Sequence, residues 1–305
     1  MKSSVGAAHQ MDRPIVVADR IVTASAVVAL ESSVLAQGLP SPANLESAEA
    51  QSVAVSKSGA EPAVVGVIGG RIVVGADADQ MQALASRRAT WKVTVRDLPY
   101  VVTRKLDGAT TVSATVFAAE LVGIEVMATG GIGGIHFGTG DVSADLPQLA
   151  RSRSVVVCSG PKHVADAAAT LEWLETWGVL MVGYRTDRLP GFLARGRLPL
   201  EHVVNNVGEV VELLRVRRAL ESTGALVLVQ NPPAAAAMDP DELAELSAEG
   251  AAAARNAGVV GKARTPFELD WLHRRTGGRS LAANLALLEA NAGLAGEVAS
   301  ALALG

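Results

Sequence analysis

Short β-branched runs alternate along this chain with longer stretches rich in Ala and Leu, and the two rhythms predict different elements. Residues 64–68 and Arg71–Val74 are apolar runs on either side of Gly69-Gly70, which predicts a hairpin closed by a two-residue turn. Residues 124–128, 154–158, 179–183 and 225–229 read as short strands buried on both faces. Residues 110–122 have helical spacing. Residues 162–177 do too, with Ala165, Ala168, Leu171 and Leu174 near the 3.6-residue period.

The last third of the chain reads as helix with clear punctuation. Asp239-Pro240 supplies an N-cap and a first-turn proline for a helix running to about Asn256. Thr265-Pro266-Phe267-Glu268 predicts a capping box, Gly277-Gly278 a stop, and Ser280 the start of a final helix towards Ala303. No Pro/Gly/Ser-rich linker and no internal repeat interrupts the pattern. The expected fold class is therefore α/β: a tail over residues 1–20, then one α/β/α sandwich over residues 21–305, its central mixed sheet covered by helices on both faces.

Composition removes several classes of function. Hydrophobic residues make up 49% and charged residues 19%, enough apolar surface to rule out wholesale disorder. A net charge of -4 lacks the basic excess of a nucleic-acid binder, and 3% aromatics leaves little for base stacking. The lone Cys158 excludes a disulfide framework and any Cys-rich zinc site. The apolar stretch 21–30 is broken by Thr23 and Ser25 and ends at Glu31, far short of the roughly 20 residues of a membrane span. No apolar leader core precedes it. A cytoplasmic protein with neither membrane nor nucleic-acid partner is expected.

Candidate chemistry gathers where predicted strands run into loops. Residues 128–141 are glycine-rich but fit neither G-x-G-x-x-G nor the Walker pattern, and Gly261-Lys262 lacks the Ser/Thr that should follow it. Asp141-Val142-Ser143-Ala144-Asp145 reads either as simple N-capping or as a helix start whose free N–H groups hold a phosphate while Asp141 holds Mg²⁺ or Mn²⁺. Lys162, after a buried strand and at a predicted helix N-terminus, is either a solvated lysine or an amine kept nucleophilic by the dipole and apolar walls, suited to an imine with a sugar aldehyde. Glu31 ends an apolar run, where burial would suit it to general-acid work. Lys92 and Arg96 add nearby positive charge.

Taken in order, these stretches resemble the pseudouridine-5'-phosphate glycosidase family over about residues 29–292. The resemblance rests on Ala29-Leu30-Glu31-Ser32, Arg96-Asp97-Leu98-Pro99, Gly108-Ala109-Thr110-Thr111-Val112-Ser113-Ala114-Thr115 and Ala128-Thr129-Gly130-Gly131-Ile132-Gly133-Gly134. It continues through Asp141-Val142-Ser143-Ala144-Asp145-Leu146, Thr170-Leu171-Glu172-Trp173, Thr265-Pro266-Phe267 and Ser280-Leu281-Ala282-Ala283-Asn284. The resemblance implies an α/β/α enzyme, commonly a homotrimer, acting on the C–C bond between ribose 5-phosphate and a pyrimidine. It implies Lys162 as the nucleophile, Glu31 as the proton donor and Asp141 as a Mn²⁺ ligand. Lys92, Val112, Ser143, Ala144, Asp145 and Asn284 are implied at substrate-contact positions, with His136 in the same loop region.

Departures from the family pattern shift the expected substrate. Gln37-Gly38 stands where His-Gly is usual, Pro62-Ala63-Val64-Val65 where Pro-Ala-Thr-Ile is common, and His136-Phe137-Gly138 where His-Arg-Gly is usual; the stretch 138–141 is short. An arginine replaced by Phe137 loses polar donors and gains an apolar face. The expectation is thus a C-glycosynthase, resembling that of alnumycin-type aromatic-polyketide antibiotic biosynthesis, joining C1' of ribose 5-phosphate to an aromatic ring through a lysine imine. The alternatives are a pseudouridine-5'-phosphate glycosidase and, in another class, a non-catalytic phosphosugar-binding protein.

Overall fold

The β-branched runs assemble into one large sheet because each is apolar on both faces and needs cover on both. The computed structural model describes residues 13–86, 91–137 and 140–304. In chain order its strands are β1 (Ile15–Val17), β2 (Val27–Glu31), β3 (Glu61–Ile68), β4 (Arg71–Val74), β5 (Trp91–Val93), β6 (Gly108–Thr110), β7 (Val126–Ala128), β8 (Ile135–His136), β9 (Val155–Cys158), β10 (Ala165–Asp166), β11 (Leu180–Tyr184), β12 (Val203–Val204) and β13 (Leu226–Val229). The helices are α1 (Asp19–Thr23), α2 (Ala43–Lys57), α3 (Ala78–Ala85), α4 (Leu98–Thr103), α5 (Val112–Leu121), α6 (Asp145–Arg151), α7 (Ala167–Thr176), α8 (Val207–Ala219), α9 (Pro240–Asn256), α10 (Arg264–Arg275) and α11 (Arg279–Ala303).

The sheet runs β1-β4-β3-β2-β7-β9-β13-β11-β12, with β6 also on β3 and β5 on β6. From β3 through β2 to β12 every neighbouring pair is parallel, so the carboxyl ends of these strands share one edge. That edge is where loops converge and where open α/β sheets place their ligands. Alternate residues of each strand enter opposite cores. Ala29, Val65, Met127, Val156 and Val227 pack with α5, α6 and α7, whereas Val28, Leu30, Val126, Val157 and Leu228 pack with α2, α8 and α11. A third cluster, with Leu243 of α9, Leu272 of α10 and Leu287 and Leu288 of α11 around Phe192, closes over the strand ends.

The α/β/α reading holds. The hairpin forms with Ile68 opposite Arg71 and both glycines at positive φ (55° and 76°), as a two-residue turn that follows the strand twist demands. Asp239 caps α9, accepting from the N–H groups of Asp241 and Glu242. Helix α11 is long and apolar enough to cross a membrane, but its Ala283, Leu287, Leu288, Ala292, Ala295 and Val298 are buried against the protein, which accounts for its composition.

Four local expectations are corrected. The 1–20 tail is too long: β1 pairs in parallel with β4 and belongs to the sheet, while residues 1–12 lie outside the described residues. Helix α7 starts at Ala167, so Lys162 lies in the loop after β9 and faces no helix N-terminus; the dipole argument for it falls. The Thr265 capping box does not form, because α10 already begins at Arg264, and Glu268 turns back instead to a buried ion pair with Arg264 at 2.5 Å. Helix α6 begins at Asp145, but the Ser143 N–H donates to the Gly134 carbonyl and the Asp145 N–H to Ser143 Oγ, leaving few free donors for an anion.

Candidate functional site at the carboxyl edge of the sheet

Strand β7 ends in Thr129-Gly130-Gly131-Ile132 and β9 in Ser159-Gly160-Pro161-Lys162, and the two loops stay zipped beyond the sheet. Thr129 N–H donates to Val157 O (3.0 Å), Ser159 N–H to Gly130 O (2.9 Å), Ile132 N–H to Gly160 O (3.1 Å) and Lys162 N–H to Ile132 O (2.9 Å). Lys162 is thus fixed by its backbone to the glycine loop. Gly131 permits this closeness: a Cβ there would lie 2.8 Å from Gly160 O and 2.8 Å from the Phe192 ring.

Two cavities meet at Lys162. A wide one of about 500 Å³ is lined by Lys92, Arg96, Thr111, His136, Asp141, Ser143, Ala144 and Asp145 among others. A narrow one of about 30 Å³ is lined by Gln37, Thr129, Gly130, Phe192, Leu288 and Asn284 among others. Ser33, Lys92, Lys162 and Thr265 belong to both walls. The wide cavity is thus rich in charge and hydroxyls. The narrow one is lined by Val34, Phe192, Pro266, Leu269 and Leu288 together with the Gln37 and Asn284 amides, a mix that suits a ring more than an anionic group.

Glu31 is buried at the end of β2 and lies one layer behind this wall. It accepts short hydrogen bonds from Ser33 Oγ and Thr129 Oγ1, the residues that do line the cavities. Asp145 is likewise buried, but its carboxylate is engaged by the N–H groups of Ser113 (2.9 Å) and Gly133 (2.8 Å), so it ties the start of α5 to the glycine loop. Val112 is fully buried in the core and lines neither cavity, its neighbour Thr111 taking that place. Among the described residues no three His, Cys, Asp or Glu side chains converge as a metal cage. Asp141 offers one exposed carboxylate, a donor set that fits a mostly hydrated hard cation rather than a tightly held one.

Burial dominates the electrostatics. The Cys158 thiol is pushed up to about 12, so the only cysteine stays protonated and is no nucleophile. Burial, then the Arg264 charge, lowers His136 below the ordinary histidine value. Burial also lowers His163 to about 4, where its ring stacks on Phe192 with centroids 5.8 Å apart. Protonating His163 is therefore harder in the folded than in the unfolded chain, so its contribution to stability is present above about pH 6.5 and is lost as pH falls towards 4. In urea titrations over that range, wild type should lose more stability than His163→Leu, which has nothing to titrate; equal slopes would overturn this.

Phe137 does not stand where the sequence put it. The residue is 48% exposed and lines neither cavity; Gly138 and Thr139 lie outside the described residues. The aromatic wall beside Lys162 is Phe192, buried and held at φ 65°. Sequence patterns gave no sign of it, nor of Ser33 and Thr129 as the hydroxyls in front of Glu31.

The family model described as indigoidine synthase A like protein matches residues 16–301. The pseudouridine-5'-phosphate glycosidase of Methylobacterium nodulans is 45% identical over 280 residues, covering 90% of this chain and 83% of that protein. Its counterpart from Streptomyces griseus is 45% identical over 282 residues, covering 91% and 87%. Among solved structures, an indigoidine synthase A-like protein from Thermotoga maritima superposes with a TM-score of 0.90 at 36% identity, over 97% of this chain and 99% of that one. The prealnumycin C-glycosynthase AlnA, solved with ribulose 5-phosphate, gives 0.87 at 33% identity, over 96% and 98%.

Proposed function

This chain belongs to the indigoidine synthase A like protein family, and from that membership we propose that it is a pseudouridine-5'-phosphate glycosidase. Its full-length likeness to glycosidases of that name carries the reading and makes it a glycosidase-type enzyme. The site geometry supports it. The phosphate and ribose lie in the wide cavity beside Lys92, Arg96 and Ser143, and the pyrimidine is directed at the mouth of the narrow one, towards Phe192, Gln37 and Asn284.

The Lys162 amine attacks C1' as the C1'–O4' bond breaks, and O4' takes a proton that leaves Glu31 through the hydroxyl of Ser33 or Thr129. The attached nitrogen gives up a proton, its lone pair forms the C=N bond as the C1'–C5 bond breaks, and C5 of the pyrimidine keeps that electron pair and takes up the proton the nitrogen lost. Water hydrolyses the imine to ribose 5-phosphate and free lysine. Asp141 would hold a Mn²⁺ or Mg²⁺ ion, which would supply positive charge to offset that of the phosphate. Asp141→Asn should weaken Mn²⁺ binding about tenfold or more, read from the electron paramagnetic resonance signal of the free ion; unchanged binding would remove Asp141 from that role.

A C-glycosynthase is the second reading. Phe137 lines neither cavity, and the likeness to AlnA at 33% identity is what favours this reading. Turnover of pseudouridine 5'-phosphate to uracil, compared with coupling of ribose 5-phosphate to an electron-rich aromatic acceptor, separates the two. Uracil release without coupling is expected; coupling without uracil release would reverse the order.

A further inference from the structure

Behind the two zipped loops lies a group that no step above uses. Asn291, on α11, is fully buried, two helical turns beyond Asn284. Its Nδ2 donates to Thr129 O at 2.9 Å and lies 3.4 Å from Gly130 O and 3.2 Å from Ser159 Oγ. Its Oδ1 accepts from Gln230 Nε2 at 3.0 Å, and the Gln230 N–H in turn donates to Cys158 O at 3.1 Å. One side chain thus joins the ends of β7, β9 and β13. The two branches it joins carry the chemistry: Thr129 holds Glu31 by its hydroxyl, and Ser159 leads through Gly160 to Lys162. Ser159 O also accepts from the Phe192 N–H at 3.0 Å, which brings the ring wall into the same network.

We propose that Asn291 is a positioning residue that sets the proton-donor branch at Thr129 against the nucleophile branch at Lys162. It lines neither of the two cavities and acts through the carbonyls and hydroxyl it binds. Loops at strand ends are the part of an α/β fold freest to shift, and a buried amide satisfied on both sides holds them in one arrangement. Displacing catalytic groups by about 1 Å costs on the order of 100-fold in rate while leaving binding nearly intact. The inference rests on the proposed glycosidase reading.

The test compares Asn291→Asp, which keeps the shape but replaces the donor to Thr129 and Gly130 by an acceptor, with Val298→Ala farther along the same helix, where a buried side chain packs away from the loops. Turnover of pseudouridine 5'-phosphate is measured on folded protein, with the active fraction counted by borohydride-trapped ribose 5-phosphate adduct. Asn291→Asp should lose about 100-fold in kcat with KM within about threefold, and Val298→Ala should keep both. If Asn291→Asp does not fold, Ser159→Ala stands in and should lose about tenfold in kcat by the same split. Loss of kcat in Val298→Ala matching that in the loop variant, or loss confined to KM, would overturn the proposal. Wild type that forms no uracil and no adduct would instead overturn the glycosidase reading itself.

Discussion

Borohydride reduction in the presence of ribose 5-phosphate should add one reduced sugar phosphate to the wild-type mass and none to Lys162→Ala. The expectation follows from where Lys162 is held. Its backbone is fixed to the glycine loop, and its side chain is in the wall common to the polar and apolar cavities, where C1' must lie if phosphate and ring occupy one each. Cys158 does not compete as a nucleophile, being buried with its thiol pushed up to about 12, and Lys92 is the other amine in that wall. Removing the nucleophile should lower kcat for pseudouridine 5'-phosphate by on the order of 10⁴-fold or more. Lys162→Ala should keep its fold, because the loop hydrogen bonds of this residue are made by its backbone, the N–H donating to Ile132 O and the carbonyl accepting from the Ala165 N–H. A variant that still traps the sugar would move the imine to another lysine, Lys92 first.

Glu31→Gln should separate two steps that Lys162→Ala abolishes together. The proton donated to O4' is needed only when the sugar arrives as a closed ring joined to the base. Free ribose 5-phosphate opens by itself in water. Turnover of pseudouridine 5'-phosphate should therefore fall by about 10²- to 10⁴-fold, the range of general acid catalysis, while the borohydride adduct with ribose 5-phosphate still forms. Glutamine keeps the volume, and the Ser33 and Thr129 hydroxyls can rotate to suit its amide, so thermal stability should change little. Thr129→Val, which removes one of the two hydroxyls between Glu31 and the cavity, should reproduce part of the same pattern. Loss of the adduct in Glu31→Gln would place Glu31 in imine formation instead.

Residue order by itself determined the elements and the fold class, because both depend on local periodicity. The apolar runs at β7, β9, β11 and β13, the Gly69-Gly70 turn and the Asp239 cap are written in a few neighbouring residues each. The motifs also picked out Lys162, Lys92, His136, Asp141, Ser143 and Asn284, which the structure gathers on the walls of two adjoining cavities. What the sequence could not carry is direction and depth. Phe137 and Phe192 are both aromatic residues beside glycines, yet one turns outward and the other forms the wall at Lys162. Glu31 reads as a strand-end acid, but only the packing of β2 beside β7 puts it behind Thr129. Asn291 lies 162 positions from Thr129 in the chain and reaches it only because α11 folds back across the strand ends. Such pairings are fixed by the closing of the tertiary core, where a side chain's partner is whatever packing brings within 3 Å.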